Sequence, residues 1–328
     1  MAIGGASVYA IWKLESVFKS TETGAYKSLG TDLKLDSLTH KNNVKKAWGL
    51  GNVESTVQYA GQYEGTASFS GLLSDPWIFA FITGNNAATL GTGPYTHTFV
   101  NSAGSPSAVA ATIPSIGIGI GENVAVAFEH TLLGSVFRQA TFDYKVDEAV
   151  AMKLDFDFAS DTDATAYGTV TNPTEVPYTF AYATFEFPTA TGITAAPIQS
   201  LTATINRNPT MRRGLGNRIP QTYTLGKLEH DCKMNIAMND KTWIEYLHGA
   251  AGSTTPASSI AEQVGLKIIL NNGAATTSNR QILLRFDGAI VNERGTTASV
   301  EEMQTEDVTF SVRTLGLCQA INATSAQP

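Results

Sequence analysis

Residues 49–84 read GLGNVESTVQYAGQYEGTASFSGLLSDPWIFAFITG, and residues 214–249 read GLGNRIPQTYTLGKLEHDCKMNIAMNDKTWIEYLHG. The second stretch follows the first at a constant offset of 165, without a gap. Gly49, Leu50, Gly51 and Asn52 recur as Gly214, Leu215, Gly216 and Asn217, and Gly61, Glu64, Asp75 and Gly84 as Gly226, Glu229, Asp240 and Gly249. In the first stretch Val57, Tyr59, Tyr63, Ala67 and Phe69 alternate with Gln58, Gln62, Glu64, Ser68 and Ser70. In the second, Leu228, Cys232, Met234, Ile236 and Met238 alternate with Glu229, Lys233 and Asn235. A period of two marks strands with one buried face. A change of phase between Leu225 and Leu228 calls for a bulge there. Each stretch then ends in a short helix. Ser74 is placed to cap PWIFAFIT with Gly84 past its end, and Asn239 to cap KTWIEYLH with Gly249 in the same role. Trp77, Phe81 and Ile82, and Trp243, Tyr246 and Leu247, would lay an apolar stripe on a sheet.

A further stretch repeats at an offset of 154: Gly134, Val146, Glu148 and Phe156 recur as Gly288, Val300, Glu302 and Phe310. Leu154, Phe156 and Phe158 alternate with Asp155 and Asp157, as Val308, Phe310 and Val312 do with Thr309 and Ser311. Residue order and strand phase therefore both recur, which points to an internal duplication. The expected fold is mostly β: two tandem β-barrel or sandwich domains, 1–170 and 175–318, each with one short flanking α-helix. The boundary falls near Asn172-Pro173-Thr174, and residues 319–328 are expected to form a mobile tail.

Composition agrees. The chain has 328 residues, 43% of them apolar and only 16% charged, with 40 Thr. That excludes disorder and leaves room for about two cores, and the many threonines suit pleated surfaces. The net charge of −7 argues against a protein that grips nucleic acid. Cys232 and Cys318 make no disulfide framework. No secretory signal is read at the start, and no window is apolar enough to span a membrane.

The strand-into-helix unit QYAGQYEGTASFSGLLSDPWIFAFITG, its second copy ending NDKTWIEYLHG, and the long loops before them resemble the tail tube (major tail) proteins of long-tailed bacterial and archaeal viruses. Their building block, shared with contractile-tail and type VI secretion tubes, is a small β-barrel or sandwich with one flanking helix. Members with one such domain stack as hexameric rings, and those with two make trimeric rings of pseudo-sixfold symmetry. The resemblance implies a self-assembling virion protein made in the host cytoplasm and built into the tail. Rings would stack on a tail-tip initiator around a tape-measure protein, with a tail-terminator protein as a further partner. Viral DNA would pass through the lumen without specific binding. Two other readings remain open: a two-domain adhesive or carbohydrate-binding β protein, and a head–tail adaptor.

Within that frame the loops before and around GLGN are the candidate contacts with a neighbouring subunit or ring: Lys45, Lys46, Gly49, Gly51 and Asn52, then Arg212, Arg213, Gly214, Gly216 and Asn217. Lys41, Arg207 and Arg218 add to their basic character and would meet acidic groups there. A solvated basic loop is the plainer alternative. Asp155 and Asp157, on the polar face of their strand, are candidate lumen-facing residues that would repel phosphates, against the plain reading of a solvated strand face.

No catalytic residue, cofactor site or metal site is assigned. In IGIGIGEN (116–123) Ile116, Ile118 and Ile120 share one strand face, the glycines leave the other bare, and the Lys-Ser/Thr of a phosphate loop is missing. The five histidines lack paired ligand spacing. Asp155, Asp157, Asp161 and Asp163 lack the glycine and glutamate of a calcium loop, and Glu301 and Glu302 read as surface charge.

Overall fold

The computed structural model describes residues 8–21, 26–84, 87–90, 95–101, 113–122, 128–164, 176–187, 198–238, 241–260, 262, 265–273, 280–298 and 304–322. The first half runs β1 (Val8–Leu14), β2 (Lys27–Ser28), β3 (Thr31–Lys41), β4 (Lys45–Ala47), β5 (Val57–Tyr59), β6 (Glu64–Leu72), α1 (Ile78–Thr83), β7 (Ala87–Leu90), β8 (Tyr95–Asn101), β9 (Ile116–Glu122), β10 (Phe128–Lys145), β11 (Ala151–Phe158) and β12 (Ser160–Ala164). The second half opens with a 3-10 turn, Phe180–Tyr182, followed by β13 (Thr184–Glu186), β14 (Ile198–Asn206), β15 (Thr210–Arg212), β16 (Thr222–Thr224), β17 (Glu229–Ala237), α2 (Thr242–His248), β18 (Leu266–Asn271), β19 (Gln281–Asp287), β20 (Ile290–Thr297), β21 (Thr305–Val312) and β22 (Thr314–Asn322). The fold is mostly β with two short helices. The sequence offsets reappear in the spans: β4, β5 and β6 lie 165 residues before β15, β16 and β17, and β11 lies 154 before β21. Gly134 and Gly288 share a positive φ, 63° and 67°. At Gly134 the chain stays in one long strand, β10, whereas at Gly288 the corresponding stretch is divided into β19 and β20.

Eight strands form one continuous path, β3-β6-β11-β10-β14-β17-β21-β20. Register fixes its two faces, because directly paired residues point the same way. One line across it reads Leu35, Phe69, Leu154, Ala140, Ile205, His230 and Val312. The adjacent line reads Lys34, Ser70, Lys153, Thr141, Thr204, Asp231 and Ser311. The first line is apolar but for His230 and largely buried, and the second is polar. The β1-β9-β10 pairing joins the same sheet through the N-terminal part of β10, with β12 on that strand's other side.

The apolar face closes over aromatics. Phe81 of α1 sits 4.9 Å from Trp12, edge to face, and 5.6 Å from Phe156, and Phe69 and Phe137 flank Phe156. Each such ring contributes about 1.5–3 kcal/mol by burial, with about 1 kcal/mol more for edge-to-face pairs. All six residues of α1 are buried, so this helix is enclosed rather than striped. On α2 only Trp243 is buried, stacked on Phe187.

Several sequence expectations change. The Oγ of Ser74 makes no cap, being buried without a hydrogen-bond partner among the described residues. Asp75 instead accepts a bond from the Trp77 amide at 3.0 Å. Gly84 does end α1, at φ 78° with its N–H on the Ala80 carbonyl. Asn239, residues 172–174 and the Glu301-Glu302 pair lie outside the described residues. The phase change at 225–228 is a loop between β16 and β17 rather than a bulge. Val57 and Tyr59 belong to a projecting hairpin and are exposed. Residues 319–322, expected in the tail, continue β22, where Ala320 is buried.

The second sheet is ordered β13-β18-β19-β22-β8-β7, so a hairpin from the first half adds to the last strand of the second. Among the described residues no sheet closes into a barrel. In β9 the alternating glycines permit close approach: a Cβ on Gly121 would fall 2.1 Å from the Tyr9 ring.

Candidate assembly surface

Three features of this framework bear on function: two free edges, two projecting arms and one polar face. β3 and β20 end the eight-strand path, each paired on one side only among the described residues. Unpaired edges of this length are templates for another chain. Where the two halves meet, β10 pairs β14 with Gln139 opposite Asn206, Ala140 opposite Ile205, Thr141 opposite Thr204, Phe142 opposite Ala203 and Asp143 opposite Thr202. β10 corresponds by offset to β20, and β14 to β3. The contact inside the chain thus joins the counterparts of the two edges that remain free.

The arms are the hairpins β4–β5 and β15–β16. At both tips GLGN makes a type II turn: Asn52 N–H bonds the Gly49 carbonyl at 3.1 Å and Asn217 N–H bonds that of Gly214 at 3.2 Å. Gly51 and Gly216 both take φ +82°, which the third position of this turn demands. The turn holds Leu50 and Leu215 fully in solvent, at 108% and 105% exposure. Trp48 and Val53 of the first arm are exposed as well, as are Lys45, Lys46 and Arg212. Within the chain, two arginines of the second arm bond the base of the first arm rather than acidic side chains. Arg213 donates to the Tyr63 carbonyl, and Arg218 donates to the Gly61 carbonyl at 3.0 Å and to Asn42 Oδ1 at 2.9 Å. They fasten the second arm to the base of the first. Arg207 is buried rather than presented.

Asp155 and Asp157 do lie on the polar face of β11, half-buried, with Arg138 of β10 reaching both at 3.9 and 3.3 Å. Burial holds the Asp157 carboxyl above its ordinary value; Arg138 pulls it down, while Asp155 and Glu64 push it up. This pair is therefore partly neutralised. By register the face also carries Asp143, Glu229, Asp231, Asp307 and Glu293 against Lys34, Lys41, Lys145, Lys153 and Lys233, so its acidic balance comes from Asp155, Asp157 and Glu64 facing Arg138 alone. Hydroxyls and amides tie the acids across strands, as in Thr202 to Asp143 at 2.6 Å and Asn235 to Asp307 at 2.7 Å.

The run of four aspartates is divided: Asp155 and Asp157 face Arg138, while Asp161 and Asp163, on β12, face His130 of β10. His40 meets the same Asp161, so histidines without sequence spacing are gathered by the sheet. No helix among the described residues is long and apolar enough to cross a membrane.

These edges and arms can be compared with known proteins. The sequence model of the family described as phage tail tube protein matches residues 50–316, a span that includes the second arm, the β5 strand of the first and most of both sheets. No curated protein sequence matches the chain.

Proposed function

The chain belongs to the phage tail tube proteins, structural components of the virion tail, and from that premise we propose that it forms three-chain, pseudo-sixfold rings that stack into a conduit for DNA. In this reading the chain is two tail-tube modules in tandem, joined by the β10–β14 pairing. The single observation that carries it is that junction, because it leaves the counterpart strands β20 and β3 free at opposite ends of one sheet. A head-to-tail contact of this kind closes into a ring when its rotation divides a full turn, here by three. Closure removes the exposed edges, as a barrel does.

The register between chains follows by shifting the internal one by the two offsets. Glu293 then pairs with Lys41 of the next copy, Arg294 with His40, Gly295 with Thr39, Thr296 with Leu38 and Thr297 with Ser37. Opposite charges meet at the first pair on the polar face, a favourable cross-strand contact. That polar face, rich in Ser and Thr and net acidic, lines the lumen. There it gives phosphates little to hold.

The arm tips serve the contact between rings. The second arm is fastened to the base of the first, yet Leu50 and Leu215 at the two tips remain fully exposed within the chain. In this reading their burial falls to the ring above or below. Tape-measure, tail-tip and terminator proteins are the further partners that this role entails, and it involves no catalysis.

Electron microscopy with sedimentation across a concentration series tests the proposal. Hollow stacks, or rings with the mass of three chains and six lobes, are expected. Particles without a lumen at every concentration, with no growth on isolated tail tips, would overturn it.

A further inference from the structure

Beside the free edge, at the end of β3 nearest the first arm, the sheet gathers a group of side chains that the tube reading does not use. His40 comes from β3, His130 from β10, and Asp161 and Asp163 from β12. Asp161 Oδ2 lies 2.9 Å from His130 Nδ1 and 3.4 Å from His40 Nε2, and Asp163 Oδ1 lies 3.7 Å from His130 Nδ1. His130, Asp161 and Asp163 each offer a ligand atom within 4.8 Å of the others. Donors bound at about 2.0–2.1 Å around a tetrahedral ion stand about 3.4 Å apart, and these separations bracket that value.

Three observations point from the cluster to a ligand. First, the other oxygen of Asp161, Oδ1, is buried and has no hydrogen-bond partner among the described residues, an arrangement that disfavours a carboxylate unless a cation is near. Second, His40 is oriented from behind: its Nδ1 is 2.8 Å from the Tyr63 hydroxyl. An Nδ1–H donated to that oxygen leaves the Nε2 lone pair facing Asp161, the outer-shell arrangement that fixes a metal-binding tautomer. The ring edge of Phe158, 5.4 Å from His40, walls the site on its apolar side.

Third, the fold does not need polar groups here. At the offsets of 165 and 154, His40, Tyr63, His130, Asp161 and Asp163 correspond to Ile205, Leu228, Leu284, Leu315 and Leu317. Ile205, Leu284 and Leu315 are buried core residues. The pairing repeats too, Leu132 with Asp161 on β10–β12 matching Phe286 with Leu315 on β19–β22. Five apolar positions in one half are thus two histidines, two aspartates and a tyrosine in the other.

We infer that His40, His130, Asp161 and Asp163 form a binding site for one divalent transition-metal cation of the zinc class, with Tyr63 positioning His40. Imidazole nitrogens select such ions over calcium or magnesium, which take oxygen ligands. The site spans three strands, one of them the free-edge strand β3, so a bound ion ties that edge to β10 and β12. The inference stands on side-chain geometry and does not depend on the ring.

Equilibrium dialysis of the full, tag-free chain against Zn2+ tests it, with Co2+ as a spectroscopic probe. One Zn2+ per chain is expected, together with the visible bands of tetrahedral Co2+ and no sulfur charge-transfer band, since both cysteines are buried elsewhere. Asp161→Asn and His130→Gln should abolish saturable binding, and Tyr63→Phe should weaken it about 10- to 100-fold, as outer-shell changes do. Zn2+ should raise the unfolding temperature of the parent chain but not of Asp161→Asn. Zn2+ uptake no greater than that of the Asp161→Asn chain would overturn the inference, as would Ca2+ binding that is equal and indifferent to His130→Gln. Should the substituted chains fail to fold, the Co2+ spectrum of the parent decides alone: an octahedral spectrum, or none, overturns the assignment.

Discussion

Replacing Leu50 and Leu215 together by alanine separates stacking from folding. Both side chains are fully exposed at the tips of their turns, so the isolated chain should keep its unfolding free energy within about 0.5 kcal/mol. In a stack each leucine is buried against the adjacent ring, and full burial of such a side chain is worth about 1.5–3 kcal/mol. Alanine retains part of that, leaving a loss of about 1–2 kcal/mol per tip and about 6–12 kcal/mol for the six tips of a three-chain ring. At 1.4 kcal/mol per decade, the ring concentration needed for stacking rises by about 10,000-fold or more. Sedimentation velocity across a dilution series, with micrographs of the same samples, reads that shift. Single rings should persist where the parent chain forms tubes. Stacks at an unchanged threshold would refute the assignment of the tips to ring–ring contact, and loss of rings as well as stacks would place the tips at the lateral interface.

Other consequences concern the edges and the core. Lys41→Glu or Glu293→Lys alone should weaken ring formation by up to about fivefold, and the two together should restore it, since exposed cross-strand pairs are worth about 0.2–1 kcal/mol. Sedimentation equilibrium of the four chains measures this, and additive losses would exclude the pairing. Arg294 holds buried Glu306 through two bonds, at 2.9 and 2.5 Å. Arg294→Met should therefore cost about 3–5 kcal/mol by stranding the carboxylate, while Arg294→Met with Glu306→Leu recovers most of it; urea midpoints decide, and equal losses would contradict this. His230 is buried with both ring nitrogens lacking hydrogen bonds among the described residues, and burial, aided by Arg207, lowers its pKa to about 4 from an ordinary 6.5. The unfolded chain takes up this proton first. Stability should thus be full above about pH 6.5 and fall by about 3 kcal/mol as pH drops to about 4. His230→Leu should flatten that slope relative to the parent chain in urea titrations at pH 7.5 and 4.5. Asp75 and Asp157, raised by burial, act with the opposite sign in both chains and cancel in the comparison. Parallel slopes would show that His230 is not the group responsible.

Local features were legible in the sequence because they are local. The alternation in 64–72 and 229–237, the alternating isoleucines of 116–120, and the glycine ends of both helices depend on neighbours a few residues away. The GLGN repeat signalled a turn for the same reason, since only glycine tolerates φ near +82° at its third position. What escaped depends on contacts across the sheet. Val57 and Tyr59 alternate like core residues, yet both are exposed on a hairpin that projects from the sheet. Arg138 neutralises part of the Asp155 and Asp157 charge from a strand that sequence cannot place beside β11. β8 pairs with β22, more than two hundred residues away, and the cluster of His40, His130 and Asp161 arises only because β3, β10 and β12 converge. A pairwise comparison of the two halves would have flagged that cluster, because polar residues stand where the other half has Ile205, Leu284 and Leu315.

The most direct test of the account is a cross-link at the proposed joint between chains. Lys41→Cys and Glu293→Cys are placed in one chain, whose native Cys232 and Cys318 are buried and do not compete. Cross-strand partners have Cα atoms about 4.5–5.5 Å apart, within the range of about 4.4–6.8 Å that a disulfide spans. Oxidation of assembled rings should yield covalent dimers and then closed trimers. The displaced pair Lys41→Cys with Thr297→Cys, about 13 Å out of register, should not link. Assembled rings without a 41–293 disulfide, or with equal linkage from the displaced pair, would contradict the claim that the junction inside the chain is the pattern for the junction between chains.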